Sequence, residues 1–212
     1  MENLENVVAS NLLSIKAVFL KPNDPFTWAS GIKSPIYCDN RLTLSYPNVR
    51  NVIEEGLAEI IKKYYPDCEC VMGTSTAGIA HAALVSNILN LPMGYVRSGA
   101  KDHGRKNQIE GVVPTGKKVV VIEDLISTAG SSIEVVQILR EAGANVLGIA
   151  SIFTYELKKG LDNLENAKVI NHSLSNFTAL INQALKENYI QENDLKKLKA
   201  FQADTESDWQ KA

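Results

Sequence analysis

The sequence is poor in cysteine, in net charge and in long apolar runs, and each shortage excludes a class of protein. Its three cysteines, Cys38, Cys68 and Cys70, include one C-x-C pair without a second pair at zinc-site spacing, so they predict free thiols in a reducing cytoplasm. A formal net charge of −2 argues against a general nucleic-acid binder, which needs a basic face. The longest apolar runs, such as residues 119–122, are too short to cross a bilayer. The first ten residues, MENLENVVAS, lack the basic region of a signal peptide.

Length and composition predict one domain with a proper core. The 212 residues are 45% hydrophobic and 22% charged, which is ordinary for a globular chain. We therefore expect residues 1–212 to form a single unit. Residues 1–46 and the C-terminal helices are expected to build a hood and flanks around a central sheet.

Short β-rich runs alternate with helical stretches through the middle of the chain, which predicts βαβ units and an α/β fold with a parallel sheet. Strands are expected at residues 70–72, 93–96, 118–122, 146–153 and 168–172. Helices are expected at residues 4–19, 49–64, 78–89, 132–141 and 177–186, with Ser175 as a cap and a further polar helix from Asp194. Ligands of such sheets bind at the carboxyl ends of the strands, so functional residues are expected there.

The segment that follows the third strand combines acids with small and hydroxyl residues. Glu123 and Asp124 end an apolar run, and a helix is expected shortly afterwards. Backbone amides and a helix N-terminus bind phosphate, while the acids suit sugar hydroxyls or water on a divalent cation, so the segment predicts a site for a phosphorylated sugar. The alternative is that the acids cap the helix and the hydroxyls form a turn. The residues of the expected phosphate loop are Leu125, Ile126, Ser127, Thr128, Ala129, Gly130 and Ser131.

Residues 119–131 resemble the motif that binds phosphoribosyl pyrophosphate (PRPP) in the type I phosphoribosyltransferases, which has four apolar residues, two acids, two spacers, two hydroxyls, a small residue and Gly. The resemblance implies that family's fold, a parallel twisted sheet flanked by helices with a small N-terminal hood lobe. It also implies that Glu123 and Asp124 hold the ribose hydroxyls and that residues 126–131 wrap the 5′-phosphate. Mg²⁺ is expected to be carried by PRPP, without direct protein ligands.

A basic segment follows the second strand. Residues 97–106 hold four basic side chains and one acid, so their local charge is 4 − 1 = +3, and Gly99, Gly104 and Gly111 punctuate the region. A cationic segment with glycines predicts a mobile lid that closes over a pyrophosphate leaving group. The alternative is a solvated surface loop, since exposed charges need no function.

The order of Arg97, Lys101, Asp102 and His103 is similar to the lid of the orotate phosphoribosyltransferases. In that family the lid reaches across a dimer into the neighbouring active site. The resemblance therefore implies a homodimer with shared sites, PRPP contacts from Arg97, Lys101 and His103, and catalytic roles for Lys101, Asp102 and His103. His103 is either a phosphate donor or a surface residue.

The exit of the first strand resembles the pyrophosphate loop of the same family. Thr74, Ser75 and Thr76 offer hydroxyls, and the backbone amides there can bind diphosphate oxygens. Ala77 stands where some relatives have a Lys, which leaves more of the charge on pyrophosphate to Lys101 and Mg²⁺.

Residues 26–41 are the basis for predicting the acceptor base. Their spacing, F-x-x-x-S-G-x-x-S-P-x-Y, resembles the N-terminal signature of the orotate phosphoribosyltransferases. We expect Phe26 to stack on the base and Lys33 and Ser127 to contact orotate. Ala29 and the lack of an Arg after Phe153 depart from some members of the family. The alternative is a turn-rich lobe with buried aromatic side chains.

Together these resemblances imply an enzyme that transfers the phosphoribosyl group of PRPP to orotate, giving orotidine 5′-phosphate and pyrophosphate on the route to UMP. Two other functions stay open at this point. One is a phosphoribosyltransferase that uses a purine or uracil. The other is a non-enzymatic PRPP-sensing regulator, which would need a nucleic-acid surface that a net charge of −2 does not supply.

Overall fold

The computed structural model describes residues 3–28, 31–97, 99 and 108–211. The strands are β1 (Val18–Leu20), β2 (Phe26–Thr27), β3 (Lys33–Ser34), β4 (Ile36–Cys38), β5 (Cys70–Thr74), β6 (Met93–Val96), β7 (Ile109–Glu110), β8 (Lys118–Ile126), β9 (Asn145–Thr154) and β10 (Asn171–Asn176). The helices are α1 (Leu4–Ser14), α2 (Pro47–Tyr64), α3 (Ala77–Leu89), α4 (Gly130–Glu141), α5 (Lys158–Asn166), α6 (Phe177–Lys186) and α7 (Glu192–Ala203). Among the described residues, 3₁₀ turns cover Asn40–Ser45 and Trp209–Lys211.

The central sheet has the order β10-β9-β8-β5-β6-β7. Its neighbouring strands are parallel except for β7, which runs antiparallel to β6. The α/β fold with a mostly parallel sheet is therefore confirmed. From β5 the chain moves outward to β6 and later returns to the other side of β5 as β8. The order of the strands reverses at this point, and such a switch point is where open α/β sheets form a binding crevice.

Alternate residues of the central strands face two separate apolar layers. Val71, Val120 and Ile122 belong to a core shared with α1, α2, α3 and α6, whereas Met72 and Val121 belong to a core shared with α4 and α5. Side chains of a strand alternate between its faces, so both faces of this sheet are buried. That burial explains why the middle of the sequence shows unbroken apolar runs instead of a polar–apolar alternation.

The N-terminal helix is shorter than the sequence predicted. It ends at Ser14, and Phe19 lies in β1, which pairs antiparallel with β4 at Val18 and Cys38. The prediction of a helix over residues 4–19 is therefore wrong beyond residue 14, because pairing with a strand almost twenty residues further along overrides the local apolar pattern. The helix α1 packs against α6 and β10.

The bounds of four strands differ from the prediction, most clearly those of the last and the third predicted strands. The last strand covers Asn171–Asn176 instead of 168–172, and Asn176, not Ser175, caps α6 by accepting a hydrogen bond from the Ala179 amide. Ser175 instead donates its hydroxyl to the Glu5 carbonyl, at 2.9 Å. The third predicted strand, 118–122, continues to Ile126 as β8, so both acids of the motif lie within a strand.

The hairpin of β2 and β3 is held by aromatic packing. The ring of Trp28 stacks on Tyr155 with centroids 5.4 Å apart and meets the edge of Phe201 at 6.0 Å. Phe201 in turn contacts Trp209 near the end of the chain. Among the described residues, no helix combines the length and the apolar character that crossing a membrane requires.

Candidate active site

A cavity of about 270 Å³ opens at the carboxyl ends of β5, β6 and β8. It lies at the switch point of the sheet, where a binding crevice is expected. It brings together residues from three separate predicted segments: the pyrophosphate loop, the start of the lid and the acid pair. The residues that line it are Thr74, Ser75, Thr76, Ala77, Val96, Arg97, Glu123, Asp124, Leu125, Ser131, Glu134, Val135 and Ile138.

The buried carboxylate of Glu123 joins three parts of the site. One oxygen accepts hydrogen bonds from the Thr74 hydroxyl at 2.8 Å and from the Asp124 amide at 2.9 Å, and the other accepts one from the Ser132 hydroxyl at 2.8 Å. A carboxylate has about four lone-pair sites, so three are occupied by the protein itself. Glu123 therefore fixes the end of β5 and the start of α4 relative to β8, and keeps little capacity for a ligand.

The carboxyl group of Asp124 ionises less readily than that of a solvent-exposed aspartate. Burial, followed by the neighbouring carboxylate of Glu123, raises the pKa of Asp124 to about 7. A ligand that presents hydroxyl donors or a cation to this carboxylate would favour the charged form. The site is therefore suited to a ligand with hydroxyl groups or a bound metal ion, and binding near pH 7 would release a proton.

Asp124→Asn is expected to stabilise the folded protein more at pH 8 than at pH 5. The folded protein holds the Asp124 proton more tightly than the unfolded chain, in which the pKa is about 3.9, so ionisation of Asp124 costs stability as the pH rises from about 4 to about 7. Asparagine removes that cost, and the expected gain at pH 8 is about 0.5–2 kcal/mol, at the expense of ligand binding. Urea unfolding at both pH values measures the difference.

Asp39→Asn is the matched control, because the pKa of Asp39 is shifted in the opposite direction to that of Asp124. The hydrogen bonds from Arg41 lower the pKa of Asp39, so Asp39 is charged at both pH 5 and pH 8. Its replacement should cost the same small amount of stability at the two pH values. If Asp124→Asn also gave equal effects at pH 5 and pH 8, the raised pKa of Asp124 would be wrong.

The loop between β8 and α4 is only three residues long, Ser127 to Ala129. Ala129 has a left-handed backbone with φ of 62°, and the N-terminus of α4 has no side-chain cap. An uncapped helix start directs its first N–H groups outward with a partial positive charge, which is a ready site for an anion. The geometry is thus that of a phosphate cradle, with Ser131 at its cavity side.

The predicted pyrophosphate loop lies on the other side of the cavity. The Ser75 amide donates to the Val96 carbonyl at 3.0 Å, the Ser75–Thr76 peptide bond is cis, and α3 starts uncapped after Thr76. The hydroxyl of Thr74 is buried and donates to Glu123. Ser75 and Thr76 are therefore better placed than Thr74 to offer hydroxyls to a ligand in the cavity.

Arg97 is the part of the predicted lid that the structure describes at the cavity. Its Nε atom lies 2.8 Å from Oε1 of Glu110, and its amide donates to the Gln108 carbonyl. Lys101, Asp102 and His103 lie outside the described residues, so their predicted roles stay predictions.

The predicted base-binding residues do not line this cavity. Phe26 lies in β2 with its ring 5.6 Å from that of Tyr37, and the ammonium group of Lys33 donates to the Thr27 hydroxyl at 2.7 Å. Ser127 follows β8 directly but is also absent from the described residues that surround the cavity. Of the described residues expected to bind PRPP, Arg97, Glu123, Asp124, Leu125 and Ser131 line the cavity. Those that do not line it are Ile126, Ser127, Thr128, Ala129 and Gly130.

Sequence reasoning missed Asn40 and Ser132. The buried amide of Asn40 donates to the Asp124 carbonyl at 2.7 Å and so links the N-terminal segment to the acid pair. Ser132 lies one residue beyond the predicted motif, yet its hydroxyl binds Glu123. The extra hydroxyl after Ser131 was a usable signal for Ser132, whereas nothing in the sequence connects Asn40 with a strand 84 positions away.

Comparison with protein families and curated proteins agrees with this geometry. The model of the phosphoribosyl transferase domain matches residues 44–187. An orotate phosphoribosyltransferase of Bacillus cereus is 59% identical over 198 residues, which cover 93% of this chain and 94% of that protein.

Solved structures show the same architecture. An orotate phosphoribosyltransferase of Aeropyrum pernix superposes with a TM-score of 0.75 at 27% identity, over 87% of this chain and 99% of that one. The UMP synthase of Leishmania donovani gives a TM-score of 0.80 at 27% identity, over 93% of this chain, which spans 42% of that longer protein.

Proposed function

Because the chain belongs to the orotate phosphoribosyltransferases, within the phosphoribosyl transferase domain family, we infer that it transfers the 5-phosphoribosyl group of PRPP to orotate. The products are orotidine 5′-phosphate and pyrophosphate, and the reaction belongs to pyrimidine biosynthesis. The observation that carries this inference is the similarity over nearly the whole length of the curated relatives. It also answers the choice of base that the sequence left open, since a purine enzyme would not be expected to share that similarity.

The cavity supports a specific assignment of the PRPP contacts. Asp124, whose pKa is raised to about 7, takes the ribose hydroxyls, because hydroxyl donors would restore its charged form. The amides of the loop and of the uncapped start of α4 take the 5′-phosphate. Ser75 and Thr76 take the pyrophosphate from the opposite side.

Mg²⁺ is proposed to enter this site together with PRPP, as the resemblance implies. Among the residues that the structure describes, no three acids, histidines or cysteines come close enough together to hold a metal by themselves. Mg²⁺ usually keeps several waters and binds together with substrate phosphates, and Asp124 can accept a hydrogen bond from such a water. When bound, the ion neutralises charge on the departing pyrophosphate.

The chemistry is a displacement at the anomeric carbon of the ribose through an oxocarbenium-like state. Binding the 5′-phosphate and the ribose hydroxyls at fixed points leaves that carbon facing the incoming base. Orotate can lose its ring N–H proton before it attacks, so the site needs no strong general base. The main tasks of the protein are therefore to orient the two substrates and to balance the charge of the leaving group.

A homodimer with a shared lid is supported by the outer face of α3. Ala83, Leu84 and Ile88 are exposed there although they are apolar. The same helix begins at the pyrophosphate loop, where an apolar hollow adjoins Thr76 and Ala77. A second copy packed on this face would place its residues close to the active site and would cover the apolar side chains.

We further propose a cytoplasmic enzyme that acts on small molecules without a nucleic-acid or membrane partner. The free thiols of Cys38, Cys68 and Cys70 support a reducing compartment. The net charge of −2 gives no general attraction to polyanions.

We expect pyrophosphate release from PRPP and Mg²⁺ with orotate as the acceptor, and none above background with hypoxanthine, adenine or uracil. The reason is that only a base matched to the site can stabilise the oxocarbenium-like state. A coupled assay for pyrophosphate measures all four bases with the same enzyme preparation. Turnover with a purine or uracil but not with orotate would overturn the assignment, and retention of nucleic acid without any turnover would favour a regulator.

A further inference from the structure

The loop between β8 and α4, Ser127 to Ala129, contacts the helix α5, which contributes no residue to the described lining of the cavity. The side-chain amide of Asn163 donates a hydrogen bond to the Thr128 carbonyl at 2.9 Å. This contact is partly buried and joins residues 35 positions apart. It attaches the middle of a three-residue loop to a neighbouring helix.

A second contact one turn earlier in α5 acts on the preceding peptide. A Cβ atom added to Gly160 would lie 2.3 Å from the Ser127 carbonyl oxygen, so the helix backbone and this carbonyl are in close contact. Only glycine permits that approach. The carbonyl groups of Ser127 and Thr128 therefore both face α5.

The direction of these carbonyls fixes the direction of two amides. The cis bond among the described residues is Ser75–Thr76, so the peptides after Ser127 and Thr128 are trans. In a planar trans peptide the C=O and N–H groups point in opposite directions. The N–H groups of Thr128 and Ala129 therefore point away from α5.

We propose that Asn163 is a positioning residue for the 5′-phosphate of the substrate: by holding the Thr128 carbonyl against α5, it keeps the Ala129 amide directed at the phosphate. Gly160 does the same for the Thr128 amide by allowing the close approach of the helix. This inference rests on the proposed function, since it assumes that the loop binds the 5′-phosphate. It does not require Asn163 to touch any substrate.

The two products of the reaction separate this role from a general structural one. Orotidine 5′-phosphate carries the 5′-phosphate, whereas pyrophosphate does not and binds on the other side of the cavity. Loss of one oriented amide should weaken the binding of orotidine 5′-phosphate and leave the binding of pyrophosphate unchanged. A hydrogen bond to a charged group contributes enough that the expected loss is about 5–50-fold.

The experiment measures binding of orotidine 5′-phosphate and of pyrophosphate with Mg²⁺ by calorimetry, for the wild type and three variants. Asn163→Ala removes the hydrogen bond, and Asn163→Asp keeps the size but places a carboxylate oxygen against the carbonyl. Asn166→Ala is the matched control, because it removes an exposed amide from the same helix. We expect both Asn163 variants to bind orotidine 5′-phosphate about 5–50-fold more weakly and pyrophosphate normally, and Asn166→Ala to match the wild type.

The outcomes distinguish the two levels of inference. If the wild type did not bind orotidine 5′-phosphate, the proposed function would fail. If the wild type bound it and the Asn163 variants bound it equally well, the positioning role would be refuted while the function stood. If the Asn163 variants bound both products more weakly by the same factor, the positioning role would also be refuted, since that pattern indicates general damage to the fold.

Discussion

Lys101→Ala is expected to lower turnover by about 10²–10³-fold while the protein folds normally, because it removes a cation that the leaving group needs. Three acids, Glu123, Asp124 and Glu134, line the cavity, and Arg97 is the single basic residue among its described lining residues. Arg97 is itself paired with Glu110. The pyrophosphate gains charge as it departs, so positive charge must come from Mg²⁺ and from the basic lid segment, whose local charge is +3.

Steady-state kinetics and thermal unfolding of the same preparation test this prediction. Lys106→Ala is the control, because it removes an equal charge from the same segment at a position outside the resemblance to the family's lid. Its turnover should fall much less than that of Lys101→Ala. Wild-type turnover for Lys101→Ala, or equal losses for the two variants, would contradict the assignment of Lys101.

A mixture of Lys101→Ala with Asp124→Asn tests whether the lid is shared between subunits. In a dimer with shared sites, a hybrid carries both defects in one site and none in the other. Random assortment should therefore restore about a quarter of wild-type turnover, since half of the dimers would be hybrids with one intact site. No recovery after co-expression would mean that each lid serves its own subunit.

The central sheet and the place of the active site could be predicted from sequence because both depend on local patterns. Buried parallel strands require unbroken apolar runs, and β5, β6, β8 and β9 show them. The acid pair, the loop after it and residues 74–76 all follow such strands. Since parallel strands end at the same edge of the sheet, their convergence on one cavity followed from the fold class.

The remaining features depend on contacts that no local pattern encodes. The segment after Ser14 has the apolar spacing of a helix, but it becomes β1 because β4 is available to pair with it. The strand β10 is polar, NHSLSN, and owes its position to β9 and to the covering helix α1. Likewise, the motif named Glu123 as a ligand for ribose, while the structure gives most of its hydrogen-bonding capacity to Thr74, Asp124 and Ser132.

The helix α3 approaches β8 closely at Gly78, beside the hydrogen bond between Thr74 and Glu123. A Cβ atom at position 78 would lie 2.4 Å from the Ile122 carbonyl oxygen and 2.5 Å from the Thr74 hydroxyl. The first of these atoms belongs to the backbone of a central strand, so rotation of a side chain cannot relieve the clash. In Gly78→Ala, the start of α3 must therefore move away from β8.

Gly78→Ala is expected to lower the free energy of unfolding by about 2–4 kcal/mol, the sum of an overpacked core contact and a lost buried hydrogen bond. The new methyl group would crowd the Thr74 hydroxyl away from Glu123, and the shift of α3 would displace Ser75 and Thr76, so the KM for PRPP should rise as well. Gly56→Ala is the control within α2, where the new methyl group would meet the side chain of Leu174, which can rotate. Its stability should change by less than about 1 kcal/mol, because the helix propensity of alanine offsets the crowding. Urea unfolding measures the stability of both variants, and titration with PRPP measures the KM. If Gly78→Ala were as stable as Gly56→Ala, the close approach of α3 to β8 would not matter for stability and the prediction would be wrong.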